Sequence, residues 1–195
     1  MNNSFWNNFR EKFIYQFLYE TGAKSKNEAI KLFNWLKKQI PYSTDTYIKE
    51  GTQRYVLGFL FSKDLERVVL IRKLKPAWQA GCLNGVGGKV ETIDKSFQHA
   101  MSREFKEETG VLIEPENWKY FAEMLDYEGN FYVSCYKFIG DVDAVKTMEK
   151  EEVAVYNVDD ISWLKTISNL KWLIPLALDG EITCSTYYNE NNTST

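Results

Sequence analysis

Residue type and spacing point most directly to chemistry in the stretch Arg103-Glu104-Phe105-Lys106-Glu107-Glu108-Thr109-Gly110-Val111. Glu104 and Glu108 stand four residues apart and Glu107 stands three from Glu104, so a helix carries all three on or beside one face. Like charges at this spacing repel by roughly 0.2–0.5 kcal/mol per exposed pair. A hard divalent cation with oxygen ligands, Mg2+ or Mn2+, would offset that repulsion, bridge phosphate oxygens, polarise phosphorus and orient water. A solvated acidic face has the same spacing, and the pattern alone serves both readings. Upstream, Gly85, Gly87 and Gly88 let the backbone approach a ligand closely, with Asn84 and Lys89 beside them. A glycine-rich turn ending in an exposed lysine fits the same residues. The cluster has neither the spacing and terminal Lys-Ser/Thr of a P-loop nor a GxGxxG fingerprint.

These groups need a helix and a sheet to hold them. Phe97, Met101 and Phe105 recur at helical spacing, and Gly110 ends that helix. Tyr55 to Phe61 and Arg67 to Ile71 read as strands joined by a Ser62-Lys63-Asp64 turn. Trp118 to Leu125, Phe131 to Ile139 and Val153 to Val158 are further strands, after which Asp159 or Asp160 is expected to cap a helix. Leu170 to Leu178 is the closing helix, with a kink or an early start at Pro175. Residues 181–195, rich in Ser, Thr, Asn and Tyr, read as a flexible tail. Residues 1–50 read as a helical hairpin. Phe5, Phe9, Phe13 and Phe17 line one face, and Ser25 with Glu28 opens a second helix that Pro41 stops. Its apolar face is expected to cover the following domain or a sister subunit, which leaves a homodimer open.

The chain has 195 residues, with 24 Lys+Arg against 27 Asp+Glu and a net charge of -3, so neither duplex DNA nor an anionic membrane is attracted by its overall field. Hydrophobic residues at 44% suffice for one substantial core, and every apolar run stops short of a bilayer span. Cys82, Cys135 and Cys184 suggest neither a disulfide framework nor a thiolate metal site. The opening residues carry no basic flank before an apolar signal core, so the expected location is cytoplasmic.

Gly88-Lys89-Val90-Glu91 followed by Arg103 to Val111 resembles the signature box of the Nudix hydrolases: glycine, five residues, glutamate, seven residues, then Arg-Glu-apolar-any-Glu-Glu-any-Gly-apolar. The second half matches at every defined position. The interval from Gly88 to Arg103 is one residue longer than the pattern, with Asp94 the acidic substitute for its intermediate glutamate. The resemblance covers roughly residues 53–178 and implies an α/β/α sandwich with a mixed β-sheet, residues 51–180 forming the Nudix domain. It places Glu104, Glu107 and Glu108 in the metal-ligand positions, lets Arg103 orient them and has Gly88 supply a backbone oxygen. The implied cofactor is Mg2+, with Mn2+ able to substitute. Relatives often use a carboxylate from a later loop, which nominates Glu151 and Glu152, beside Glu149, as base or as a further metal ligand through Glu152.

The implied reaction is attack by water on a diphosphate linked to another moiety, usually a nucleoside. Leu83 to Lys89 and Trp172-Leu173-Ile174-Pro175-Leu176 are similar to stretches of MutT-like purine nucleoside triphosphatases that cleanse oxidised nucleotides. That likeness nominates Asn84 as a base contact; where those relatives place an aromatic and adjacent carboxylates before the late segment this chain has Ser168-Asn169-Leu170-Lys171, of which Asn169 is taken as a substrate-binding candidate. Asn84 serves equally well to hold the glycine turn. Trp78, Trp163 and Trp172 are candidates for stacking on a base, and Arg54, Arg72, Lys73, Lys75 and Lys89 for meeting phosphates. Each also fits a packing or solvated role. His99, the single histidine, reads as a helix-surface or packed residue. The expected activity is Mg2+-dependent cleavage of a nucleoside triphosphate, such as 8-oxo-dGTP, to monophosphate and diphosphate. Hydrolysis of ADP-ribose, NADH or a dinucleoside polyphosphate is the alternative, and an inactive nucleotide-binding module is a third reading. No membrane and no stable nucleic-acid partner are expected.

Overall fold

A computed structural model describes residues 48, 51–126 and 130–179 and the backbone of Cys184–Tyr188. The helical hairpin expected over residues 1–50 lies outside the described residues. Strand β1 (Gln53–Phe61) is buried from Val56 onward on both faces, which explains its unbroken apolar run. Its neighbours are β2 (Arg67–Arg72), antiparallel, and β5 (Phe131–Ile139), parallel from Gln53↔Phe131 to Phe61↔Ile139. Strand β4 (Lys119–Asp126) runs antiparallel to β5, with a bulge between Tyr120 and Ala122. Strands β3 (Leu83–Asn84) and β6 (Glu152–Asn157) both pair with β2. The described residues thus form a seven-stranded mixed sheet.

Strand β1 touches β2 in the ladder only at Phe61↔Val68. The segment that follows β3 takes β1's hydrogen bonds beyond that point. Val56 and Gly58 donate to the carbonyls of Gly88 and Val86, and Val90 donates to Arg54. The glycine-rich stretch is therefore a strand-like wedge fixed at the sheet centre, not a free loop.

Helix α1 (Phe97–Thr109) covers one face. Ser96 caps it by accepting the His99 amide, and Gly110, left-handed at φ 75°, ends it as the sequence requires. Met101, Phe105 and Glu108 share its buried stripe, so the helical period that seats two core residues seats a carboxylate next. Helix α2 (Leu170–Leu178) covers the other face through Leu170, Leu173, Ile174 and Ala177, with Pro175 inside it. Two cores result. Val56, Leu60, Met101, Phe105 and Trp118 fill the α1 side, and Leu57, Phe59, Phe61, Leu83 and Leu173 fill the α2 side. This is the α/β/α sandwich that the sequence implied.

Two local expectations are corrected. Asp159 and Asp160 cap no α-helix: Val158–Asp160 form a single 3-10 turn, and the chain reaches Leu170 before α2 begins. Cys184–Tyr188, assigned to a tail, form β7 parallel to β4. An edge strand needs only backbone pairing, so its polar composition concealed it. Among the described residues no helix is long and apolar enough to cross a membrane.

Phe105 is fully buried and packs edge-on against Trp118 at 5.2 Å, so it carries the seat of α1 on the sheet. Phe105→Ala is expected to cost about 3–5 kcal/mol. Denaturant unfolding measures this, and a loss below about 1 kcal/mol would mean that α1 is held chiefly by its polar contacts.

Candidate functional site

The site is built where α1 faces the glycine wedge, and Arg103 organises it. Its Nε and Nη2 donate to Asp94 Oδ1 and Oδ2 at 3.1 and 2.9 Å, a bidentate pair. Its Nη1 donates to Glu104 Oε1 at 2.9 Å and to Glu107 Oε2 at 3.0 Å. Nη2 also donates to the Lys89 carbonyl at 3.0 Å, which ties the helix to the wedge. The Asp94 side chain is 4% exposed. Its carboxyl is held below the usual range, chiefly by the Arg103 hydrogen bonds acting against burial. The longer interval between Gly88 and Arg103 thus still brings the Asp94 carboxylate to Arg103.

The wedge fits the helix closely. A side chain at Gly88 would place a Cβ 2.5 Å from Glu104 Oε2, and one at Gly87 would lie 2.2 Å from the Val56 carbonyl oxygen. Gly87 also has φ 153°, a conformation that side chains rarely adopt. Its N–H donates to Glu108 Oε2 at 3.1 Å. The Gly88 carbonyl accepts from Val56 at 2.9 Å, one use of an oxygen that has two lone pairs.

The three glutamates share a helical face, as their spacing requires, but their environments differ. Glu107 is half exposed. Burial raises the Glu104 carboxyl against the pull of Arg103. Burial also pushes Glu108 up to about 7, opposed by Lys73 and the Gly87 amide and reinforced by Glu104 and Glu151. Among the described residues, no three His, Cys, Asp or Glu side chains are grouped closely enough to hold a metal ion as they stand. Glu104 and Glu107 are turned to Arg103, and Glu108 to Gly87. The donor set nonetheless suits a hard divalent cation. It consists of oxygen alone, and burial disfavours the charged forms of Glu104 and Glu108, a cost that a cation relieves.

The structure separates Glu151 from Glu152. Glu152 lies 65% exposed in an ion pair with Arg72. The Glu151 side chain is 17% exposed, and it pairs with Lys73 while Oε1 accepts the amides of Leu74 at 2.6 Å and Lys75 at 3.3 Å. Burial raises its carboxyl, but Lys73 and these amides outweigh that and hold it below its ordinary value. Arg72 is committed to Glu152, the Gly81 carbonyl and Tyr156. Arg54 and Lys89 are exposed beside the wedge. Trp78 and Trp163 are exposed on loops, whereas Trp172 is partly buried against the α2-side core. Asn84 Oδ1 accepts the Gly85 amide at 2.8 Å, the turn role left open for it. His99 Nδ1 meets Ser96 Oγ at 2.9 Å at the helix start.

Asn169 precedes α2, on a segment docked to β3 through Leu83 N–H to the Lys165 carbonyl and Ile167 N–H to the Leu83 carbonyl. Its Nδ2 lies 3.4 Å from Met124 Sδ, and its Oδ1 is buried without a hydrogen-bond partner. The Lys73–Glu151 clamp joins residues distant in sequence, and no local pattern indicated it.

The model of the NUDIX domain matches residues 51–173, so the chain belongs to the Nudix family. No curated protein matches it significantly. Among solved structures it is similar to the Nudix domain of Shewanella oneidensis NrtR complexed with ADP-ribose. The TM-score is 0.57 at 18% identity, covering 73% of this chain and 95% of that one. It is also similar to the MutT protein of Bacillus halodurans, with TM-score 0.54 at 20% identity over 71% and 92% of the two chains. A Nudix hydrolase from Nitrosomonas europaea gives TM-score 0.60 at 14% identity over 73% and 81%. These likenesses establish the fold.

Asp94→Asn keeps the size of the side chain but removes the charge that faces Arg103, and is expected to destabilise the protein by about 1.5–3 kcal/mol at neutral pH. The folded Asp94 pKa is depressed, so its contribution is full above the unfolded value of about 3.9 and disappears as pH falls through the folded value. Unfolding curves of wild type and variant should therefore converge in acid. A gap that stayed constant down to pH 2 would assign the loss to packing.

Proposed function

We propose that this protein is a Mg2+-dependent pyrophosphohydrolase that cleaves a nucleoside triphosphate to monophosphate and diphosphate. The observation that carries this reading is the Arg103-centred group on α1, set against a glycine wedge in which a Cβ at position 87 would meet the Val56 backbone and one at position 88 would meet the Glu104 carboxylate. Glu104, Glu107 and Glu108, with the Gly88 carbonyl, would hold the ion. When bound, Mg2+ neutralises charge along the phosphate chain and makes water a better nucleophile. Arg103 holds Glu104 and Glu107, and the Gly87 amide holds Glu108, and the three carboxylates would turn from these partners to converge on the ion.

A purine-like base is supported by Asn169. A buried amide oxygen without a donor costs about 1–3 kcal/mol, and a base N–H placed there would recover it. The amide oxygen of Asn84 is already used by Gly85, so Asn169 is the stronger candidate for base contact. ADP-ribose, present in the related NrtR Nudix structure, belongs in any substrate panel. A nucleotide substrate and the free Cys82 and Cys135 suit the cytoplasm.

The test is product-resolved hydrolysis, with and without Mg2+, of normal and oxidised nucleoside triphosphates, ADP-ribose, NADH and dinucleoside polyphosphates. Diphosphate release from a triphosphate is the expected result. AMP plus a second phosphorylated fragment would move the protein to the alternative class, and binding without any turnover would make it a regulatory module. Glu107→Gln should lower turnover about a hundredfold and shift unfolding by less than about 1 kcal/mol. Equal Mg2+-dependent rates would remove Glu107 from the reaction. Asn169→Ala should lower kcat/KM for the preferred base about tenfold, the value of one buried hydrogen bond. Unchanged selectivity would return Asn169 to a helix-start role.

A further inference from the structure

The late-loop carboxylate nominated as a base already accepts three donors. As the chain leaves β2, Lys73 is fixed by its own backbone, donating to the Cys82 carbonyl at 2.9 Å and accepting from Gly81 at 2.8 Å. The next two amides, of Leu74 and Lys75, have left the ladder and are taken by Glu151 Oε1, while Oε2 holds the Lys73 ammonium. The loop that carries Glu151 is itself bonded to the last turn of α1. Lys146 donates to the Thr109 carbonyl at 3.0 Å and Met148 to the carbonyl of Glu108 at 3.1 Å. Thr147 Oγ1 accepts the Val153 amide at 3.0 Å, closing the loop just before β6.

Glu151 thus joins three pieces at one point: the exit of β2, the end of α1 and the loop bearing the exposed Trp78. A general base must be basic enough to take a proton from water, and donors that stabilise the anion reduce that basicity. Three donors already converge on this carboxylate in a largely enclosed place. Lys73 retains two further N–H donors, and the loop that carries its partner Glu151 is tied through Met148 to the Glu108 carbonyl.

We propose that Glu151 is a positioning residue that fixes Lys73 at the exit of β2, where the loop bearing Glu151 meets the end of α1, and that Lys73 is the cation presented to the phosphate chain of the substrate. This rests on the hydrolase reading above for its catalytic consequence and on the structure alone for the clamp. Lysine serves here as a point charge whose direction is set by its partner. Without Glu151 the ammonium swings free on its four-carbon stem, and the chain at Leu74–Lys75 loses its anchor.

The experiment compares Glu151→Gln, Glu151→Ala, Lys73→Met and the Lys73→Met/Glu151→Gln pair, each in the full chain and checked for cooperative unfolding. Glu151→Gln is expected to raise KM about tenfold, the size of one charge-assisted contact, with kcat changed less than about threefold. In the Lys73→Met background the same change should add less than about twofold, because the partner through which it acts is gone. Loss of a general base would instead lower kcat by about 10²–10⁴-fold in either background at unchanged KM, and that pattern overturns the proposal.

Hydrogen exchange supplies a readout that needs no substrate. The Leu74 and Lys75 amides should lose protection in Glu151→Ala and retain most of it in Glu151→Gln, whose amide oxygen can still accept. Unchanged protection in Glu151→Ala overturns the clamp. If the wild type hydrolyses none of the panel, the hydrolase reading fails while the exchange result still decides the clamp.

Discussion

The Arg103 guanidinium is the constraint on which the rest of the site depends. Three carboxylates, Asp94, Glu104 and Glu107, lie on or beside a helix packed against a sheet, where their mutual repulsion is poorly screened. A lysine would offset the charge but could not distribute it. The planar fork grips Asp94 with two nitrogens and spans Glu104 and Glu107 with the third, while its bond to the Lys89 carbonyl fixes the distance between helix and wedge. Burial lowers the dielectric around the pair, which strengthens these contacts and also makes each one costly to lose.

The sheet and the two cores exist, from the standpoint of the site, to hold that fork against the wedge. Strand β1 leaves β2 early, and Val86 to Val90 fill the gap as a partial strand, so the glycines are held by backbone bonds to the centre of the sheet. Helix α1 is seated by Met101 and Phe105 on the same stripe that buries Glu108. Hydrophobic burial thus drives an ionisable group into the interior, and its carboxyl is raised to about 7, chiefly by that burial. Stability of the helix and polarisation of the site come from one packing event.

Much of this was legible from the sequence because it depends on local periods. The strands from Gln53 and Arg67, helix α1 with its stop at Gly110, and the α2 span were readable from apolar spacing and glycine position. Asp94 stood out from the box spacing, and the structure pairs it with Arg103 nine residues on. The partners of Glu151 were not legible. Its partners lie 76 and 77 residues away, on the exit of another strand, and no helical or strand period connects them. Strand β7 escaped for a different reason: parallel pairing at a sheet edge demands backbone and little of the side chains. Asp159 and Asp160 offered helix-capping chemistry, but the chain first had to cross to β3 at Leu83 before α2 could begin.

Four glutamates show why residue type alone could not have assigned roles here. Glu107 is half in water, Glu108 is buried on a core stripe with a single backbone donor, Glu151 is enclosed by an ammonium and two amides, and Glu152 is in an exposed ion pair with Arg72. Glu151 and Glu152 are adjacent in sequence, yet entry into β6 turns successive side chains to opposite sides, one to the clamp at the end of β2 and the other to solvent. A carboxylate surrounded by donors is stabilised as an anion and gives up basicity, whereas one buried with few donors is destabilised as an anion and gains affinity for any cation that arrives. By that criterion the environment of Glu151 favours its anion, and that of Glu108 disfavours it. The difference follows from the number of donors each environment supplies.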